Sequence, residues 1–227
     1  MLNSFQKFQW AICSRLFIGL FCTLIPNSVV GEEAQENFTW KLPPWAPVPK
    51  IPKDNPMSDA KVNLGRHLFY EKRLSISGTM SCGSCHQQKK AFTDGRRTAL
   101  GATGQNHSRN TLTLTNVAYS PILTWADPGS RRLEEHPLTP LFSVDPIEMG
   151  MSGQQNIIVE WLKTDPEYRL RFMLSFPESK TRVSIENVTK ALAAFQRTLI
   201  SFSSPYDRYR FNGERQAISS SAKLTVL

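Results

Sequence analysis

Histidine and cysteine are scarce in this chain, with four of each among 227 residues. The cysteines are Cys13, Cys22, Cys82 and Cys85. The first two sit in an N-terminal stretch that reads as a removable leader, so two remain for chemistry in the rest of the chain. No second cysteine pair exists to complete a zinc site. Long apolar runs are lacking as well. Leu16 to Ile25 is shorter than the roughly 20 residues a helix needs to cross a bilayer. Strand-like alternation and internal repeats are missing. So is the Arg/Lys–aromatic interleaving of a nucleic-acid surface, and no nucleic-acid partner is expected.

The leader has a positive start at Lys7 and Arg15, the apolar run, and small residues at Val29-Val30-Gly31 before Glu32. This pattern predicts a signal peptide over 1–31 and export to the periplasm, with no stable membrane span after cleavage. An uncleaved anchor is the alternative. Formal charge falls from +8 to +6 once Lys7 and Arg15 leave. Ordinary solubility accounts for that surplus.

Hydrophobic content of 40% and charged content of 20% place the rest among globular chains. Residues 32–57, with "KLPPWAPVPKIPKDNP", cannot run as a helix and predict an extended arm pinned by Trp40 and Trp45. A folded domain is expected over 58–217. From Ser58 to Tyr70 the pattern is helical, with Ser58 as cap and Val62, Leu64, Leu68 and Phe69 as the apolar side. Residues 71–132 are glycine-rich loop, long enough to suggest that a cofactor replaces part of the core. Gln154 to Lys163 predicts a helix with Ile157, Ile158, Trp161 and Leu162 inward. Asp165-Pro166-Glu167 is a helix start. Ser184 to Phe202 predicts the clearest helix, with Ile185, Val188, Leu192, Phe195 and Leu199 at three- and four-residue steps. The fold class is therefore mainly α, with long loops and no substantial sheet.

Inside the loop stands Cys82-Gly83-Ser84-Cys85-His86, the pattern C-x-x-C-H. Two thiols at this spacing can form thioethers with the vinyl groups of haem, and the next residue places an imidazole under the iron. Attachment of this kind normally occurs outside the cytoplasmic membrane, in agreement with the leader. A redox dithiol would need a preceding strand that is not visible. A Cys82–Cys85 disulfide would close a very small loop and stabilise little. A zinc site lacks its other ligands. Covalent haem c fits best, in a c-type cytochrome-like domain.

The surrounding blocks carry more. "LGRHLFYEKRLSISGTMSCGSCHQQKKAFTDG", "RNTLTLTNVAYSP", "LEEHPLTPLFSVDPIEMG" and "ALAAFQRTLISFSSPYDRY" occur in that order. Together they resemble the bacterial dihaem cytochrome c peroxidase family from about Asn63 to Leu227. "TLTNVAYSPILTWADP" is most similar to its MauG-like, MbnH-like branch, in which a tryptophan of a partner protein is oxidised. Members carry two haems in two domains: one reacts with hydrogen peroxide and the other relays electrons. This chain has a single C-x-x-C-H, so the resemblance implies the peroxidatic half with one haem. A second haem is expected in full-length relatives, and 218–227 would be the start of a second domain.

The resemblance assigns Cys82 and Cys85 to the thioethers and His86 to the proximal ligand. Trp125 matches a tryptophan between the two haems, where an oxidisable indole can relay a hole. A packed core tryptophan is the alternative. Glu148, in "PIEM", matches the distal carboxylate that moves a proton between peroxide oxygens. His136 stands where the family often has glutamine. It can hydrogen-bond distal water or peroxide, ligate iron, or be structural. Asn110 matches an asparagine near a calcium ion whose partners come from the other domain. Ala102 occupies the position of a distal histidine that some members must release from iron. His107 follows five residues later, and if it stays off the iron the site is open. His67 reads as a surface or packing residue.

The implied activity is a peroxidase. It reduces hydrogen peroxide with electrons from a small cytochrome or cupredoxin, or oxidises a protein substrate. A single-haem periplasmic carrier is the alternative, with Met149 or Met151 as sixth ligand. An inactive truncated homologue is a third reading.

Overall fold

The computed structural model describes residues 38–125, 129 and 131–225. The expected leader over 1–31 lies outside the described residues. Helix α1 spans Asp59–Tyr70 and starts where Ser58 Oγ accepts from Lys61 N at 3.2 Å. The single-turn α2 covers Cys82–Cys85, and α3 covers Leu138–Phe142. Helices α4 (Gln155–Thr164) and α5 (Pro166–Ser175) meet at Asp165, which ends one and caps the other. Its carboxylate accepts from the amides of Glu167 and Tyr168, as the Asp-Pro-Glu pattern predicts. Helix α6 spans Ile185–Arg197 behind its cap Ser184, followed by α7 (Pro205–Phe211) and α8 (Ser220–Thr225). Among the described residues β structure is limited to two isolated bridges. The mainly α class stands.

The core forms where α1 crosses α6. Leu64, Leu68 and Phe69 from α1 and Val188, Ala191 and Leu192 from α6 are buried together. Each fully buried Leu or Phe stabilises the seam by about 1.5–3 kcal/mol. Gly65 sets the approach. A Cβ there would lie 1.9 Å from the Ala191 carbonyl oxygen and 2.9 Å from Phe195 Cβ. Gly65→Ala gains about 1 kcal/mol of helix propensity, but the backbone clash is larger. A net loss of about 2–3 kcal/mol is expected, read as a lower unfolding midpoint in urea. An unchanged midpoint would mean the helices have room to spare.

Two expectations about helices are corrected. Ile157 was expected inward, but it is 59% exposed, whereas Ile158 and Leu162 are fully buried. Adjacent residues on a helix point about 100° apart, so only one of the pair can face a narrow contact. Helix α6 also stops before Phe202. Asn116 takes the chain out of the helix: its N–H donates to Leu199 O, its side chain donates to Ser201 O, and its Oδ1 accepts from Ser201 N.

The proline-rich segment is fastened as well as packed. Trp45 stacks on Phe211 with centroids 3.8 Å apart and meets Phe202 edge-on, while Trp40 meets Phe38 edge-on. Further along, Asn55 donates to Glu134 Oε1 and to Lys190 O. Glu134 and Arg197 form a buried ion pair at 2.6 Å. Burial pushes the Glu134 carboxyl up, but hydrogen bonds from Arg197 and Asn55 outweigh it and hold the group below its ordinary value. This junction fixes the segment that carries His136.

Candidate active site

Helix α2 places Cys82 and Cys85 three residues apart, on one face of a single turn. It lies against the end of α1. A Cβ on Gly83 would come within 2.5 Å of the Tyr70 ring, so glycine permits the contact. His86 follows directly, and its ring packs near Phe69 with centroids 6.4 Å apart. His86 Nδ1 lies 2.9 Å from Phe92 O. A carbonyl only accepts, so Nδ1 carries the hydrogen and Nε2 keeps its lone pair. Burial lowers the pKa of His86, which keeps the ring in the neutral form a metal ligand requires.

These three residues line a cavity of about 350 Å³. His136, Glu148 and Trp125 line it too, as do His107 and Asn110. Side chains separated by up to 66 residues of sequence are thus brought to one space, together with apolar groups such as Leu112, Leu123 and Leu141. Burial pushes the Cys82 thiol up to about 12 and raises that of Cys85. Both thiols are free. Such groups stay protonated near neutral pH, unlike an activated redox dithiol or a thiolate metal ligand. Among the described residues no group of three or more His, Cys, Asp or Glu could hold a metal ion. A haem tethered by two thioethers and ligated by His86 fits this donor set: two adjacent thiols, one oriented imidazole and an apolar-walled cavity.

Glu148 is held from both sides. A hairpin-like loop over 99–109 closes through Ala99 N to Arg109 O and His107 N to Ala99 O. Ala102 N then donates to Glu148 O at 2.6 Å, and His107 Nε2 lies 3.2 Å from Ile147 O. A Cβ on Gly101 would sit 2.0 Å from that same Ile147 oxygen, so the contact demands glycine. On the far side Met149 N donates to Pro140 O and Met149 O accepts from Ile76 N. Burial raises the Glu148 carboxyl, opposed by the nearby His107. Burial also lowers the pKa of His136, and the proximity of His86 adds to it.

Trp125 is 49% exposed, and its Nε1 donates to Asn110 O at 3.0 Å. It is therefore no packed core tryptophan: the indole reaches from the cavity to the surface. The bond ties Trp125 to Asn110, the asparagine that the resemblance places near calcium. His67 is exposed and lies outside the cavity lining. Met149 lines the cavity, while Met151 does not. Sequence reasoning missed the Phe92 carbonyl that orients His86, because a backbone acceptor leaves no trace in residue type.

Residues 59–216 match the profile of the family described as di-haem cytochrome c peroxidase. The methylamine utilization protein MauG of Methylophilus methylotrophus is 36% identical over 200 residues, covering 88% of this chain and 56% of that protein. Cytochrome-c peroxidase IdrP1 of Pseudomonas sp. (strain SCT) is 35% identical over 204 residues, covering 88% and 52%. The crystal structure of a MauG-like protein associated with microbial copper homeostasis superposes with a TM-score of 0.77 at 44% identity. That match covers 82% of this chain and 53% of the other. The chain spans about half the length of the curated relatives it matches.

Proposed function

The chain belongs to the di-haem cytochrome c peroxidase family, and from that premise we propose that its cavity holds one haem c and reacts with hydrogen peroxide. The observation that carries this reading is the shared cavity, in which Glu148 and His136 join the thiols and imidazole of Cys82, Cys85 and His86.

Cys82 and Cys85 would tether the cofactor, and His86 would ligate its iron through the nitrogen that the Phe92 bond leaves free. The haem supplies an iron that accepts oxidising equivalents from peroxide. Glu148 acts on the proton. As carboxylate it takes the proton of one peroxide oxygen and returns it to the other, which leaves as water. A pKa raised by burial brings the group closer to the working pH, where proton exchange in both directions is efficient. His136 hydrogen-bonds the peroxide or its water. Complete reduction to two waters takes two protons from solvent and two electrons, the electrons drawn from a small cytochrome, a cupredoxin or an oxidisable protein substrate. Trp125, half in the cavity wall and half in solvent, is the exchange point for those electrons. Export to the periplasm belongs to the same reading, since haem c is assembled there. Among the described residues no helix is long and apolar enough to cross a membrane.

Rapid mixing of the haem-loaded chain with stoichiometric peroxide tests this. A visible-spectrum change within seconds is expected, from a ferric starting form without the red-end band of methionine ligation. A stable methionine-ligated spectrum, indifferent to peroxide, would instead make Met149 the sixth ligand and the chain an electron carrier.

A further inference from the structure

The turn that presents the Phe92 carbonyl to His86 is strained. Ala91 has φ 54° and ψ 39°, and Phe92 follows with φ 57°. Positive φ is uncommon for alanine and an outlier for a bulky aromatic residue, so both positions are strained. Two in succession persist only where neighbouring structure over-determines them. Within the turn itself, Phe92 N donates to Gln87 O and Ala91 N to Gln88 O. From outside, the clamp comes from one strap. Thr113 Oγ1 and Thr115 Oγ1 both donate to Ala91 O, the latter at 3.1 Å. Thr115 N in turn donates to Thr113 Oγ1, which sets the direction of that hydroxyl. Leu112, of the same strap, lines the cavity beside His86.

We propose that Thr113 and Thr115 are positioning residues for the proximal imidazole. Their hydroxyls hold the Ala91 carbonyl and thereby lock the Ala91–Phe92 turn so that Phe92 O receives the Nδ1–H of His86. Neither threonine needs to touch the cofactor. Their lever is the strength of one hydrogen bond, which sets ligand basicity and, through it, the reduction potential. The left-handed turn at 91–92 explains why two hydroxyls converge on a single carbonyl: released, the turn would relax and carry Phe92 O away from the ring. The inference rests on the haem reading for its redox consequence and on geometry alone for the orientation.

The test is the Thr113→Val/Thr115→Val chain, which keeps shape and removes both hydroxyls. Resonance Raman of the reduced haem-loaded chain should show the iron–histidine stretch at lower frequency than wild type. The reduction potential should move positive, because a weakened hydrogen bond leaves a less basic ligand. Thr113→Ser/Thr115→Ser should restore both. A merely structural role would lower stability without moving either readout. Should the double variant fail to fold, the two single valine variants are read the same way, each with a smaller shift in the same direction. Stretch and potential unchanged from wild type would overturn the proposal. If the wild-type chain attaches no haem, the haem reading fails by itself. Nitrogen NMR of the His86 ring in the full chain then decides the orientation: a dominant Nδ1–H form that the valine variants lose supports it, and a form they keep overturns it.

Discussion

The Glu148→Gln chain, loaded with haem, is expected to react with hydrogen peroxide about 100-fold or more slowly than wild type, the usual scale for a lost general acid–base group. That ratio corresponds to about 2.7 kcal/mol of barrier. Glutamine keeps the size and the hydrogen-bonding ends of the side chain but can neither take nor return a proton. The main chain at 148 is held by Ala102 N, and its neighbours by Gly101, His107, Pro140 and Ile76, so the substitution leaves the scaffold in place. Haem content should therefore match wild type, which separates a chemical loss from a structural one. The pH profile adds a sign. Burial raises the Glu148 pKa above the ordinary carboxyl value, and only the ionised form accepts a proton. The wild-type rate should fall as pH is lowered through that raised pKa, and the glutamine chain should show no such limb. The neighbouring His107 opposes the rise, so its removal would move the limb upward. Rates within threefold of wild type at neutral pH would take the proton step away from Glu148.

The second large effect concerns the tether. Cys82→Ala/Cys85→Ala should abolish covalent haem altogether, seen as complete loss of haem stain on a denaturing gel. The reason is chemical, since no other cysteine lies in the described residues to form a thioether. Single variants keep one thioether each and should retain a weaker stain. The outcome also discriminates between readings of the motif. Burial holds both thiols in the protonated form, which suits neither a redox dithiol nor a zinc thiolate. Stain persisting in the double variant would mean that the haem is held elsewhere.

Elements with local signals were legible in the sequence. Helices α1, α5 and α6 begin where Ser58, Asp165 and Ser184 cap them, because a cap and its amide lie within three residues. The end of α6 was not legible, since Asn116 sets it from 85 residues away. Helix α7 carries a local start signal as well: Ser204 and Asp207 bond reciprocally around Pro205. The candidate site followed a similar division. Cys82, Cys85 and His86 announce themselves by spacing. Glu148, His136 and Trp125 came only from the resemblance to a family, because a lone acid, histidine or tryptophan has no local signature. The cavity gathers them by long-range packing of loops on the α1–α6 seam. The Ala91–Phe92 turn was invisible, as nothing in those residue types foretells left-handed backbone.

The central claim is that Cys82-Gly-Ser-Cys85-His86 binds haem c. Intact-mass analysis of the denatured chain, purified after export in cells that assemble c-type cytochromes, tests it most directly. The account predicts a mass higher than the polypeptide by one haem, with haem stain on the same species and both thiols unreactive to alkylation. A bare polypeptide mass with two alkylatable thiols, from cells that load other c-type cytochromes, would contradict it.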